Sequence, residues 1–220
     1  MDNLLKHQFV DVVNSIRIGT APMWNTVPNV RHEDIADYQF DIIDSKEDSI
    51  SIKRGYNQGT ATYINGEADE TYNLRFISFD DFLHQFVYDD GIGHIQKSMF
   101  CQHMRMADFL VYSQDENKYF IVHELCKGRA SNKRNRARIQ LSSTINMLYK
   151  SVDVKNFINL FENKICYLTA NEEKVSSPNN IADGFMLPYD IVPDPVQFTF
   201  GQIGTFGFKA YEACVIKLEK

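Results

Sequence analysis

The spacing of hydrophobic positions changes several times along this chain, and each change predicts a different kind of element. Leu5, Phe9, Val12 and Ile16 recur at intervals of four, three and four, which lines one face of a helix, so residues 2–17 read as one amphipathic helix. Asp2 suits its N-cap and Gly19 lies past its end. The stretch from Pro22 to Pro28 reads as a loop that Trp24 can anchor through its ring. Between 38 and 78 the pattern becomes that of strands, at 38–43, 49–54, 60–64 and 72–77. Asp44-Ser45-Lys46, Asn57-Gln58-Gly59 and Asn65-Gly66 fall between them as turns, predicting an antiparallel meander. A helix then begins near Ser78 with Phe79, Phe82, Leu83 and Phe86 on one side. Asp80 and Asp81 in its first turn suit the helix dipole better than catalysis.

The most informative stretch is 98–170. Ala107 to Tyr112 and Tyr119 to Lys127 are short runs rich in aromatic and β-branched residues, separated by the polar turn Gln114-Asp115-Glu116-Asn117, and they predict a β-hairpin. Both runs are apolar at successive positions, the pattern of strands covered on two faces. Asp108, Glu124 and Lys127 lie within that hairpin, where an unpaired charge costs several kcal/mol, so they need one another or a metal. A turn centred on Glu116 sets Asp108 opposite Glu124 on one face. A centre between Asp115 and Glu116 sets Asp108 opposite His123 instead and sends Glu124 to the other face. Two carboxylates brought together repel, and a hard cation such as Mg²⁺ relieves that repulsion.

After the hairpin, Lys127, Arg129, Lys133, Arg134, Arg136 and Arg138 place six cations within twelve residues that contain no acid. Cations at a helix start oppose its dipole, so helix stability does not explain them. They read either as a solvated face or as contacts to a phosphate backbone. Ala137, Leu141, Ile145 and Leu148 form the apolar stripe of the helix that follows. Gln140 lies off the stripe beside Thr144, as a surface amide or one that orients a phosphate. A second helix at 153–161, a strand at 164–170 and C-terminal strands near 197–200 and 206–218 complete the pattern. His94 and His103 lack ligand-like spacing. Cys101, Cys126, Cys166 and Cys214 form no pair or cluster and read as buried free thiols.

The hairpin resembles the PD-(D/E)XK, or restriction-endonuclease-like, nuclease superfamily. That core is a hairpin with an acid on its first strand, an acid-x-lysine on its second, and then a helix. Ala107-Asp108 matches the first acid and Glu124 the second, and Lys127 stands one position beyond the expected lysine, which Cys126 replaces. Ala137, Gln140 and Leu141 match the helix. The resemblance implies Asp108 and Glu124 as ligands of Mg²⁺ or Mn²⁺. It implies Lys127 as the residue that orients the nucleophile or stabilises the pentacovalent phosphate.

Composition sets the outer bounds. The chain has 220 residues with 44% hydrophobic and 13% aromatic content, enough for one sizeable core and far from the composition of a disordered chain. A net charge of −6 restricts any nucleic-acid contact to a local patch. No apolar run approaches the ~20 residues of a membrane span and no signal peptide is expected, so the expected location is cytoplasmic. These readings combine into an α/β protein of one domain, 1–220, with a mixed central sheet flanked by helices. The restriction-endonuclease-like core is expected at 98–170, an N-terminal helix plus antiparallel β-meander at 1–97, and C-terminal strands at 171–220. The expected activity is Mg²⁺-dependent hydrolysis of DNA or RNA, with Arg129, Lys133, Arg134, Arg136, Arg138 and Gln140 on the nucleic acid and homodimerisation left open. The alternatives are a non-catalytic nucleic-acid- or protein-binding module on the same fold, and a structural domain in which Asp108 and Glu124 pair with Lys127 or nearby arginines.

Overall fold

The computed structural model describes residues 1–19, 21–43, 51–54, 60–91, 95–100, 105–127, 131–171 and 194–220, with the backbone alone at 51, 53, 54, 127, 131 and 171. The N-terminal amphipathic run forms two helices, α1 (Asp2–Lys6) and α2 (Gln8–Ile16), which meet at His7, where φ is −122°. Leu5, Phe9, Val12 and Val13 are buried. Asp2 is not the expected cap: the N-cap residue is Met1, without a side-chain bond. The Asp2 carboxylate instead accepts from Arg75 Nη1 at 2.9 Å. Trp24 packs edge-on to Phe86 at 4.9 Å, and its backbone is held by both polar atoms of the Asn14 amide, so the loop it anchors is ordered.

The middle of the chain supplies β1 (His32–Ile35), β2 (Gln39–Ile43), β3 (Ser51–Arg54), β4 (Ala61–Asn65), β5 (Leu74–Ser78), α3 (Phe79–His84), β6 (Val87–Asp89) and β7 (Gln96–Ser98). The hairpin is β8 (Phe109–Ser113) and β9 (Tyr119–Lys127), followed by α4 (Ser131–Leu148), α5 (Val152–Ile158) and β10 (Asn163–Asn171). The last strands are β11 (Val196–Phe198), β12 (Lys209–Glu212) and β13 (Val215–Leu218).

Among the described residues a seven-stranded mixed sheet runs β1-β5-β8-β9-β10-β12-β11, and a second sheet runs β13-β4-β2-β3. β8 and β9 pair antiparallel, whereas β9 and β10 are parallel with α4 and α5 in the connection between them. The predicted meander is therefore corrected. β4 leaves β3 and lies between β2 and the C-terminal β13, and β5 belongs to the large sheet. Leu74, Phe76 and Ile77 explain the last change, because β5 is buried on both faces and fits only inside a covered sheet.

Helices cover one face of the large sheet, and the four-stranded sheet covers the other, where helices were also expected. Alternation along β9 separates the layers. Phe120, Val122 and Cys126 join Leu141, Ile145 and Leu148 of α4 on the helix side. Tyr119, Ile121 and Leu125 join Phe40, Tyr63 and Ile216 of the second sheet. A strand that feeds two cores must be apolar at nearly every position, which is why the hairpin lacks a polar face.

His123 ties the layers together. Its Nδ1 lies 2.9 Å from the Tyr63 hydroxyl and its Nε2 lies 2.8 Å from Thr169 Oγ1. Thr169 donates to the Ala213 carbonyl at 2.8 Å, so it accepts from Nε2–H and leaves Nδ1 to accept from Tyr63. Full burial holds the imidazole neutral and pushes its pKa down to about 3. Among the described residues no helix is long and apolar enough to cross a membrane.

Candidate functional site

Ser113, at the end of β8, decides the hairpin register. Its hydroxyl donates to the Glu116 carbonyl at 2.6 Å and accepts from the N–H groups of Lys118 and Tyr119. The turn is thereby centred on Glu116, with Phe109 opposite His123 and Tyr112 opposite Phe120. The ladder ends at Phe109 and His123; Asp108 is the residue just before it, on the side of the strand that Glu124 shares by alternation. Both carboxylates line a single cavity of about 490 Å³. Asp108 is held from two sides: its Oδ2 accepts from the Leu125 N–H at 2.7 Å, and its carbonyl accepts from Phe79 N–H at 2.8 Å.

That second bond attaches the start of α3 to the hairpin, and α3 then contributes Asp80 and His84 to the cavity wall. His84 Nδ1 lies 3.6 Å from Asp80 Oδ2, one helical turn away. Burial raises the Asp80 carboxyl above its ordinary range, with Asp81 adding to the shift and His84 and Arg105 opposing it. Asp81 points elsewhere, to Arg31 at 3.8 Å. Two neighbouring first-turn acids thus have different surroundings, and dipole complementarity alone does not account for Asp80.

Ser98, Arg105 and Gln140 complete the polar wall, beside Leu83, Phe100, Met106 and Met147. Gln140 is not a surface amide: its Nε2 donates to the Met106 carbonyl at 3.0 Å. One turn later on α4, Thr144 accepts from Ala107 N–H at 2.8 Å and donates to the Gln140 carbonyl at 2.9 Å. The backbone entering Asp108 is therefore hooked to α4 at two successive residues.

The expected cations are dispersed. Arg129 and the Lys127 side chain lie outside the described residues, although the ladder to β10 runs one-for-one as far as Lys127, the last residue of β9. Arg134 Nη2 pairs with Glu212 of β12 at 2.8 Å, and Arg138 Nη2 reaches the same carboxylate at 4.0 Å while its guanidinium covers Phe198. Lys133 and Arg136 are exposed. Cys126, two residues past Glu124, is buried in the helix-side core. Burial pushes its thiol up, helped by Glu124 and Glu212 and opposed by Lys133 and Arg134. Cys166 is also buried, whereas Cys214 is exposed, against expectation. Cys101, His94 and His103 lie outside the described residues.

Among the described residues no three His, Cys, Asp or Glu side chains converge as a metal cage. Two carboxylates lining one cavity still suit Mg²⁺, which is held by one or two of them while water and phosphate oxygens fill its other positions. The donor set therefore fits that ion and does not fit a structural zinc site.

No family model, curated protein or solved structure matches the chain. The resemblance to the nuclease superfamily accordingly rests on the hairpin residues and the helix after them. Sequence reasoning missed Arg105 and His84 and assigned Asp80 to the helix dipole. The four-residue spacing of Asp80 and His84 was the available signal, because it places both on one helix face.

Proposed function

We propose that this cavity is the active site of a metal-dependent hydrolase of nucleic-acid phosphodiesters. The observation that carries the reading is that Asp108, just before β8, and Glu124, on β9, line the same cavity, with the Asp108 carboxylate bonded to the N–H of the residue after Glu124. Asp108 and Glu124 would hold Mg²⁺ or Mn²⁺. When bound, such an ion lowers the pKa of a coordinated water and neutralises charge that develops on the phosphate. The Leu125 N–H orients the Asp108 carboxylate, and Gln140 and Thr144 fix the backbone that presents it. Preorganisation of this kind matters because ångström misplacement of a reacting group costs large factors in rate. Lys127 keeps the role that the resemblance implies, orienting the nucleophile or stabilising the pentacovalent phosphate.

One observation favours a second reading. Cys126 occupies the position two after Glu124, and it is buried. A chain with an apolar thiol at the lysine position suits a nucleic-acid- or protein-binding module that has no hydrolytic step.

The test is Mn²⁺-dependent cleavage of single- and double-stranded DNA and RNA, with the Asp108→Asn/Glu124→Gln double variant as a contamination control. Glu124→Gln should reduce the rate on the order of 100-fold, the scale of one lost transition-state electrostatic contact. It should also lose the rise in Tm that Mn²⁺ gives the wild type by binding only the native state. Equal cleavage by wild type and Glu124→Gln would remove the hydrolase reading. A wild type that binds metal and nucleic acid without cleaving would establish the binding module.

A further inference from the structure

We propose that Arg105 is the phosphate-binding residue of the cavity, the side chain that receives the negative charge of the phosphodiester beside Asp108 and Glu124. The inference rests on the nucleic-acid reading above and names the group that recognises the substrate. Asp80, Asp108 and Glu124 give this cavity three carboxylates. Such a wall repels a phosphate, and a metal ion offsets only part of that repulsion. Arg105 supplies an opposing fixed charge from the same wall.

Of the other described cations near the hairpin, Lys133 and Arg136 are exposed on α4 and do not line the cavity. Arg134 and Arg138 are turned to Glu212, and Cys126 occupies the position where acid-x-lysine spacing would put a cation. Arg105 also has the chemistry for this role. Guanidinium stays charged at any working pH and offers a planar fork that matches two phosphate oxygens at once. Its place in the chain is fixed as well. It immediately precedes Met106 and Ala107, the two residues that Gln140 and Thr144 hook to α4. Arg105 is exposed as well as cavity-lining, so a ligand entering from solvent meets it early. Its charge acts on Asp80 across the wall.

Two measurements on the full chain separate this inference from the hydrolase reading. The first is binding of a short fluorescein-labelled single-stranded oligonucleotide by anisotropy in Ca²⁺. The second is Mn²⁺-dependent cleavage of the same strand. Arg105→Gln should weaken binding about 10-fold or more, the scale of one charge-assisted bidentate contact. If the wild type cleaves, the variant should also slow turnover on the order of 100-fold. The Mn²⁺-induced rise in Tm should persist, because Asp108 and Glu124 remain. Arg105→Lys keeps the charge without the fork and should fall between the two, while the exposed Lys155→Gln on α5 should match wild type. Wild-type binding and turnover in Arg105→Gln would overturn the inference while leaving the hydrolase reading intact. Binding lost in Arg105→Gln, with no cleavage by the wild type, would uphold Arg105 and remove the hydrolase. A wild type that neither binds nor cleaves would overturn both.

Discussion

His123 illustrates how a single residue can be read in two ways. A histidine beside a candidate catalytic glutamate invites a chemical role, but alternation along β9 sends it to the opposite face. There it is fully buried between Tyr63 and Thr169. Every polar atom of this chain of bonds has a partner, so the group links the two sheets instead of binding a ligand. His123→Ala leaves a cavity and orphans the Tyr63 hydroxyl, and it should cost about 3 kcal/mol or more in urea unfolding. A loss under about 1 kcal/mol, the range of an ordinary surface substitution, would show that the relay contributes little.

The unit of interest at the scale of elements is α4, which faces three environments at once. Ala137, Leu141, Ile145 and Leu148 pack on the large sheet, and Gln140 and Thr144 hold the strand entering the cavity. Arg134 and Arg138 reach Glu212 on β12, two strands away from β9. Cations that looked interchangeable in the sequence therefore divide into structural and solvent-facing groups. Arg136, on the exposed side, should contact phosphate if the helix meets nucleic acid. Arg136→Gln should then reduce the log–log salt slope of binding by about 1. Arg134→Gln and Arg138→Gln should leave that slope unchanged and lower the Tm instead. A slope change confined to Arg134→Gln and Arg138→Gln would reverse the assignment.

For the molecule as a whole, acid should be the natural denaturant. His123 has its pKa depressed from 6.5 to about 3, so the unfolded chain binds its proton first. Stability from the neutral imidazole is complete above pH 6.5 and is lost as pH falls toward 3. At about 1.4 kcal/mol per unit, the loss reaches several kcal/mol. Asp34 adds the same sign at lower pH. Arg75, donating Nε and Nη2 at 2.7 Å each, holds that carboxyl below its ordinary value of 3.8, so its contribution fades below that pH. The urea midpoint should fall as pH drops from about 6.5 to 4, and His123→Ala should flatten that dependence. A wild-type midpoint unchanged across the window would refute the buried neutral imidazole.

The sequence by itself determined many of the local elements, though not the break at His7 or the short strands β1, β6 and β7. The helical spacing of Leu5, Phe9 and Val12, the strands expected at 38–43 and 72–77, and the doubly covered hairpin with two acids in it all follow from hydrophobic period. Hydrophobic period records how one residue faces its neighbours along the chain, and that is one-dimensional information. Tertiary structure alone decided the partners. A strand's alternation says that it has a buried face and not which strand lies beside it, so β4 could join β13 about 150 residues later without leaving a local sign. The same limit hid the cavity: Asp80 and His84 come from α3, Arg105 from the segment before β8, and Gln140 from α4. The exception is the hairpin register. Two alternatives remained in the sequence, and a single hydroxyl, Ser113, closes the turn on Glu116, the register in which Phe109 pairs with His123 and Asp108 and Glu124 line one cavity.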